Sequence, residues 1–342
     1  MRTYIWLALL AVVGCNNNDD HVVSRTDIVT NATDPTLINA WGLAFNPTGI
    51  AWISANGTGV SVVLSASGSN VIPPVTIPAP LLAGSAAATP SGQVFNGNAA
   101  AFLGDAFIFV TEDGTIAGWQ SAAGASATLR VDNSDTSAVY KGVAIGQANS
   151  GALRLYAANF HAGTVDVYDD SYHLVQGGFV DSTLPAGFAP FNVAIVSGGV
   201  LVSYALQDDA KHDDVAGAGN GFIDLYDGDG NLLGRLISGG ELNSPWGMTV
   251  SPSNFGAAPD TLIVGNFGDG LIHFYNFSSS NVDATLGGTL NTTNNRPIAI
   301  DGLWALQFGP GAGSFASNVL YFTAGPQMES QGVFGSLTTV NN

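Results

Sequence analysis

A segment of about 50 residues recurs six times along this 342-residue chain, and the repeat constrains the fold more than any other feature. Each copy opens with a short apolar run that follows a turn. The runs begin at Trp41, Ser91, Lys141, Phe191, Trp246 and Trp304, which are 50, 50, 50, 55 and 58 residues apart. Self-similarity at a period of this size is typical of solenoids and propellers, in which each repeat is one supersecondary unit.

Further short runs follow the first one in each repeat, separated by Gly, Asn and Asp. In the second repeat they cover residues 107–110, 115–119 and 127–131. Short runs rich in β-branched and aromatic residues, bounded by turn residues, predict strands. No run holds the 3.6-residue period of an amphipathic helix. The sequence therefore predicts an all-β protein, a six-bladed β-propeller with four-stranded blades.

The last repeat lacks an obvious fourth strand before the chain ends. Residues 22–29, ahead of the first repeat, have strand character and are predicted to complete the last blade as an N-terminal strand. Joining the two termini in one sheet removes an open sheet edge. Residues 22–342 are therefore predicted to form a single propeller domain.

The first 21 residues have the pattern of a targeting segment. Arg2 precedes an apolar run over residues 4–13, about half the ~20 residues that a spanning helix needs. Residues 12–15, Val-Val-Gly-Cys, resemble a bacterial lipobox. The resemblance implies a lipoprotein signal peptide over residues 1–14, acylation of Cys15 and a polar tether over residues 15–21. The alternative is an ordinary signal peptide with an incidental cysteine.

The lipobox interpretation predicts a protein anchored to the bacterial cell envelope by its N-terminal lipid, facing the periplasm or the outer membrane. Cys15 is the only cysteine, so no intrachain disulfide can form. The chain has eight basic and 26 acidic residues, with a formal net charge of −18. A nucleic-acid site needs clustered Lys and Arg, so nucleic acid is not expected as a partner. We expect a monomer.

Several motifs link the chain to other sequences. They lie at residues 33–42, 111–116, 156–164, 211–217, 243–247 and 265–270. These motifs resemble an uncharacterised bacterial family of secreted six-bladed propellers, known as conserved hypothetical proteins. The resemblance implies the fold and export, and no activity. A looser similarity to NHL-type propellers and to the gluconolactonase and paraoxonase propellers concerns architecture alone.

The predicted strand order places the chemistry-bearing residues on one face of the disc. If the strands of each blade run A to D from the axis outwards, the D–A and B–C connections surround one mouth of the central channel. Small-molecule sites prefer such concave positions. The predicted ligand-binding face comprises Glu112, Asp113, Lys141, Asn159, His161, Lys211, His212, Asp213, Asp214, Asn266 and Asp269.

Several interpretations of this face stay open. Asn-Gly and Asp-Gly are hairpin residues, and His212 beside Asp213 and Asp214 can form an ion pair that orders a loop. Oxygen ligands of the kind that Ca²⁺ takes are offered by Asn56, Glu112, Asn159, Asn266 and Asp301. A transition metal is the alternative for His161, His212, Asp213 and Asp214.

The sequence favours a binding or interaction module whose ligand is a small molecule, a glycan or an envelope protein. The rival is a metal-dependent hydrolase of the lactonase or esterase kind, with Ca²⁺ as Lewis acid and His161 or His212 as general base. The tryptophans at 41, 246 and 304 share one repeat position, which indicates packing between blades or, alternatively, stacking on a sugar ring. Residues 227–231 imitate an EF-hand start but are predicted to be a hairpin turn.

Overall fold

The computed structural model describes residues 22–81, 87–175, 177–255, 261–280 and 282–340. Within these ranges the chain forms β-strands and four short 3₁₀ turns, and it contains no α-helix. The 3₁₀ turns are η1 (Asn56–Thr58), η2 (Phe102–Gly104), η3 (Ser121–Ala123) and η4 (Ser134–Thr136). The same ranges hold no helix long and apolar enough to cross a membrane. The predicted lipobox and tether lie outside the described residues.

The strands form six sheets that follow one another along the chain. β1 (Val22–Thr30) precedes the first blade. Blade 1 consists of β2 (Ala40–Phe45), β3 (Ala51–Ala55), β4 (Val60–Leu64) and β5 (Val75–Thr76). Blade 2 consists of β6 (Pro90–Phe95), β7 (Phe107–Thr111), β8 (Thr115–Trp119) and β9 (Thr128–Asp132). Blade 3 consists of β10 (Tyr140–Gln147), β11 (Leu153–Asn159), β12 (Thr164–Tyr168) and β13 (Leu174–Val175).

The remaining blades continue the pattern. Blade 4 consists of β14 (Phe188–Val196), β15 (Gly199–Leu206), β16 (Phe222–Tyr226) and β17 (Leu232–Ser238). Blade 5 consists of β18 (Pro245–Val250), β19 (Thr261–Asn266), β20 (Ile272–Ser278) and β21 (Asp283–Thr289). β22 (Asn291–Thr292) then precedes the last three strands, β23 (Leu303–Phe308), β24 (Val319–Ala324) and β25 (Val333–Thr339). The six-bladed propeller predicted from the repeat is confirmed.

The two termini close the propeller within blade 6. β1 pairs antiparallel with β25, and its register places Val23 opposite Thr339 and Thr30 opposite Val333. The sheet order is β22, β1, β25, β24 and β23, so the predicted N-terminal strand completes the last blade. β22 adds a short fifth strand, parallel to β1, which the sequence analysis does not predict.

The core lies between the faces of adjacent blades. Because both faces of each blade are covered, the inner strands read as unbroken apolar runs, and every residue of β2 and β3 is buried. Trp52 of blade 1 stacks on Phe107 of blade 2 with ring centroids 4.0 Å apart. Close approach also requires glycine: a Cβ on Gly92 would lie 2.9 Å from the Cα of Gly142 in the next blade.

Every inner strand has a β-bulge or register irregularity at the residue that opens its repeat. We call these six residues the axial ring: Trp41, Ser91, Lys141, Phe191, Trp246 and Trp304. Bulges re-aim side chains, and here members of non-neighbouring blades meet. Trp41 of blade 1 contacts Trp246 of blade 5, and Phe191 of blade 4 contacts Trp304 of blade 6, with centroids 6.3 and 6.0 Å apart. The ring residues therefore fill the propeller axis.

The turn at residues 227–231 connects β16 to β17, as the hairpin prediction requires. Asp227 Oδ1 accepts hydrogen bonds from the backbone N–H groups of Asp229 and Asn231. Its Oδ2 accepts from the side-chain amide of Asn149 in blade 3, at 2.9 Å. The EF-hand-like spacing thus serves a turn that fastens blade 4 to blade 3.

Candidate functional site

The B–C turns lie beside the starts of the inner strands, on one face of the disc. In five blades a backbone N–H of the B–C turn donates to the carbonyl two residues before the axial ring residue. The pairs are Asn56 to Asn39, Glu112 to Thr89, Phe160 to Val139, Phe267 to Ser244 and Gly325 to Gly302, at 2.8 to 3.1 Å. We use the term mouth for the polar group gathered on this face: Asn39, Asn56, Glu112, Lys141, His212, Asp213 and Glu329.

A buried lysine lies at the centre of the mouth. Lys141 is 2% exposed, and its Nζ forms an ion pair with Glu112 Oε1 and lies 3.4 Å from Asp213 Oδ1. The ammonium also lies 5.2 Å from the ring centroid of Trp41, within the range of a cation–π contact. Burial lowers the pKa of Lys141, but the two carboxylates more than offset this effect and raise it overall. Lys141 therefore remains a cation.

A relay of side-chain amides fixes the other end of this ion pair. Glu112 Oε2 accepts a hydrogen bond from Asn56 Nδ2 at 2.7 Å. Asn56 Oδ1 accepts from Asn39 Nδ2 at 3.3 Å, and Asn39 Oδ1 accepts from the indole N–H of Trp304 at 2.9 Å. Asn39 has a left-handed backbone, with φ 47°. The glutamate is thus held through a chain of contacts that begins on the propeller axis.

The long B–C loop of blade 4 supplies the more exposed side of the mouth. His212 Nδ1 and Asp213 Oδ1 are 2.9 Å apart. The hydrogen bond from His212, together with Lys141, lowers the pKa of Asp213 to about 2, and the same bond raises the pKa of His212. One ligand atom each from Glu112, His212 and Asp213 lies within 4.8 Å of the others, the spacing of a metal-binding group.

Glu329 enters the mouth from a strained turn. Gln327, Met328 and Glu329 have φ values of 56°, 53° and 63°, a left-handed conformation that is costly for residues other than glycine. Asp301 Oδ2 fastens the turn by accepting from the backbone N–H of Gln327 at 2.8 Å. Burial and the nearby Glu112 carboxylate raise the pKa of Glu329 to about 7. This carboxyl group therefore holds its proton to a higher pH than an exposed glutamate does.

Three stacked aromatic rings lie below and beside the polar groups. Trp41 stacks on Trp304 and Trp304 stacks on Phe267, with centroid separations of 3.7 and 3.8 Å. Both tryptophans are 1% exposed, whereas Phe267 is only partly buried. The indole N–H of Trp246 donates to the Lys141 carbonyl at 3.2 Å. Phe267 is thus the accessible end of a rigid aromatic stack.

Other residues of the predicted face have partners in their own blades or in the connections that enter those blades. Asp113 accepts from Thr89, Asn159 donates to Asp166, and Asp269 accepts from Asn243. Of the predicted Ca²⁺ ligands, Asn56 and Glu112 are in contact. Asn159, Asn266 and Asp301 bond separately to Asp166, to the Glu241 carbonyl and to the Gln327 backbone.

The last three members of the predicted face differ in exposure. Asp214 has a buried Oδ2 with no hydrogen-bond partner among the described residues, and burial raises its pKa. His161 is partly exposed and Lys211 is exposed. Asn39 is a site residue that is not predicted from the sequence. The sequence signal for Asn39 is its position two residues before Trp41. Ser244 and Gly302 hold the same position before Trp246 and Trp304, and all three residues have a left-handed backbone conformation.

Comparisons with known proteins support the fold and leave the function open. No known family model matches the chain. Two curated relatives are uncharacterized proteins of Acanthamoeba polyphaga mimivirus, R648 and L690. R648 is 28% identical over 334 residues, covering 93% of this chain and 79% of the relative. L690 is 26% identical over 336 residues, covering 93% and 84%. These relatives are uncharacterised, as the resemblance implied, but they come from a giant virus and not from a bacterium.

Two solved structures share the architecture. Virginiamycin B lyase from Staphylococcus aureus superposes with a TM-score of 0.54 at 10% identity, covering 93% of this chain and 99% of the lyase. A protein of unknown function from Bacteroides thetaiotaomicron gives a TM-score of 0.58 at 10% identity, covering 93% and 72%. At this identity the similarity concerns the propeller fold alone.

Proposed function

We propose that the protein is a binding module and that its ligand site is the mouth, with a neutral or basic glycan as the ligand. The observation that carries the proposal is the accessible ring of Phe267, stacked on Trp304 and linked through Asn39 and Asn56 to the Glu112 carboxylate. A flat aromatic face beside carboxylates and amides suits a sugar, whose ring has an apolar face and a rim of hydroxyl groups.

The charges of the mouth support a ligand without negative charge. Glu112 and Asp213 share the single ammonium of Lys141, and Glu329 adds a further carboxyl group. Hydrogen bonds to ionised acceptors are about twice as strong as neutral ones, so hydroxyl or amino groups of a sugar would bind well here. An acidic sugar would be repelled, both locally and by the net charge of −18.

The energetic cost of forming the mouth also supports its role as a binding site. The left-handed turn at residues 327–329 and the buried Lys141–Glu112 pair each carry an energetic cost that a purely structural loop would not need. Perturbed ionisable groups and backbone strain cluster at functional sites.

The glycan proposal predicts a specific loss when the aromatic face is removed. The Phe267→Ala variant should bind the best glycan about tenfold more weakly, which corresponds to about 1.4 kcal/mol. A glycan array that presents neutral, amino and acidic sugars would identify the ligand for the full-length protein, and isothermal titration would measure its affinity. Phe277→Ala, a partly buried phenylalanine at the other face, is the matched control and should bind as the unsubstituted protein does. Equal losses in both variants, or binding confined to acidic sugars, would refute the proposal.

A metal-dependent hydrolase is a second candidate, favoured by the close group of Glu112, His212 and Asp213. Oxygen and imidazole ligands of this kind suit a divalent cation, which would supply a Lewis acid. Lys141 contacts both carboxylates of the group, so an added cation would have to compete with its ammonium. The binding-module proposal therefore predicts a weak response to metal.

The metal response is measured by thermal unfolding of the EDTA-treated protein with and without Ca²⁺, Mn²⁺ or Zn²⁺. We expect the Tm to change by less than about 1 °C. A site occupied at 100 times its Kd would add about 2.7 kcal/mol and raise the Tm by several degrees. Such a rise, lost in Glu112→Gln and His212→Ala, would favour the hydrolase over the binding module.

A further inference from the structure

The central channel holds a cavity of about 1090 Å³ on the side of the axial ring away from the mouth. All six inner strands line it through their C-terminal halves, and Ser197 and Ser278–Ser280, from the A–B turn of blade 4 and the C–D turn of blade 5, also contribute. Trp246 of the axial ring lies at its inner end. None of the residues of the predicted ligand-binding face lines this cavity.

The wall of the cavity is uncharged. The described residues that line it include no Asp, Glu, Lys, Arg or His, although the chain carries 34 Asp, Glu, Lys and Arg residues in all, 26 acidic and eight basic. Apolar side chains from all six blades line the wall, and Phe45, Phe95, Ile145, Ile195, Met248 and Leu306 are among them. Ile195 is 44% exposed, which is unusual for an isoleucine in a strand whose other residues are mostly buried.

The polar side chains deep in the cavity are already engaged. Gln93 Nε2 donates to the carbonyls of Gly42 and Trp52, and its Oε1 accepts from Ser61 at 3.0 Å. Asn192 Nδ2 donates to the Trp246 carbonyl at 2.7 Å. Both amides thus connect neighbouring blades, and neither can compensate a charge placed in the channel.

We propose that this cavity is a second binding site, for an uncharged small molecule that offers both polar and apolar surface. Its size suits a drug-sized ligand. A charged ligand would lose its hydration without gaining a counter-ion, which costs several kcal/mol. The axial ring separates the cavity from the mouth, so the site is independent of the glycan proposal.

The test uses Nile red, an uncharged amphiphilic dye, with the full-length protein. We expect saturable fluorescence with one dye bound per chain. Ile195→Asp should weaken binding at least tenfold because it places a carboxylate on the cavity wall. Val215→Asp is the matched control, since Val215 is 40% exposed on the blade 4 loop at the mouth. That variant should bind as the unsubstituted protein does.

Two further variants keep the test decisive. Ile195→Trp adds volume without charge and should also weaken dye binding, and it covers the case in which the aspartate variant unfolds. Phe267→Ala should leave dye binding unchanged, because it alters the mouth alone. Non-saturable fluorescence, equal losses in Ile195→Asp and Val215→Asp, or unaltered binding by both Ile195 variants would overturn the proposal.

Discussion

Replacement of Lys141 by methionine is expected to lower the free energy of unfolding by about 3 to 5 kcal/mol. The lysine is 2% exposed and the Glu112 side chain is 11% exposed, so both charges are largely removed from water. Without the ammonium, Glu112 keeps its bond from Asn56 but loses its counter-ion. Denaturant unfolding of the full-length protein, followed by tryptophan fluorescence, measures the change.

The controls separate the missing charge from the altered shape. The double variant Lys141→Met/Glu112→Gln should recover most of the loss, because a buried pair can be replaced by neutral groups of similar volume at little cost. Lys211→Met alters the only other lysine, which is exposed, and should change stability by no more than about 0.5 kcal/mol. A double variant as unstable as Lys141→Met would show that the ion pair is not the cause.

The same double variant distinguishes stability from binding. If the ion pair serves the ligand, the folded double variant should lose glycan affinity although its stability is restored. If the pair serves only to fix the fold, affinity should return with stability. The double variant thus shows whether Lys141 is needed for the stability of the fold alone or also for glycan binding.

The repeat predicts the fold because each blade is specified locally, by strand runs and by turn residues between them. Closure by residues 22–29 follows from counting strands, and the pairing of β1 with β25 confirms it. The fifth strand of blade 6 is not predictable in the same way, since Asn291 and Thr292 pair with β1 only because the propeller closes there.

The candidate site is predictable only in part. The repeat places Lys141 in register with Trp41, Trp246 and Trp304, which is a signal that it lies on the axis. The partners of Asn159 and Asn266 depend on which groups the folded turns bring within reach, and no local pattern records that. The described lining of the channel cavity has no Asp, Glu, Lys, Arg or His, so no pattern of ionisable residues in the sequence indicates that the cavity is there.

Glu329 illustrates a second limit of the sequence. Its turn is left-handed at three successive residues, none of which is glycine or asparagine. Left-handed turns are normally recognised by those two residues, so the pattern predicts only a loop. The carboxyl group reaches the mouth because tertiary contacts, such as that from Asp301 to Gln327, hold the unfavourable backbone in place.

Substitution of Glu329 by glutamine is expected to remove about 3 kcal/mol of pH dependence from the stability. The pKa of Glu329 rises from its ordinary value of 4.5 to about 7 on folding, because burial and Glu112 disfavour the ionised form. The folded protein therefore binds a proton that the unfolded chain releases above pH 4.5. The resulting stabilisation is fully present below pH 4.5 and is lost as the pH rises through 7.

Denaturant unfolding at pH 4.5 and pH 8 measures this effect as a difference between variants. Asp224, whose pKa burial raises to about 6, contributes in the same direction, but equally in the unsubstituted protein and in Glu329→Gln. Glu241→Gln is the matched control, because Glu241 is an exposed glutamate in the connection between blades 4 and 5. The Glu329→Gln variant should be more stable than the unsubstituted protein at pH 8 and nearly equal to it at pH 4.5. If the stability of all three proteins changed with pH in the same way, Glu329 would be exposed to water and would lie outside the mouth. A glycan bound in the mouth would then have no contact with that carboxyl group.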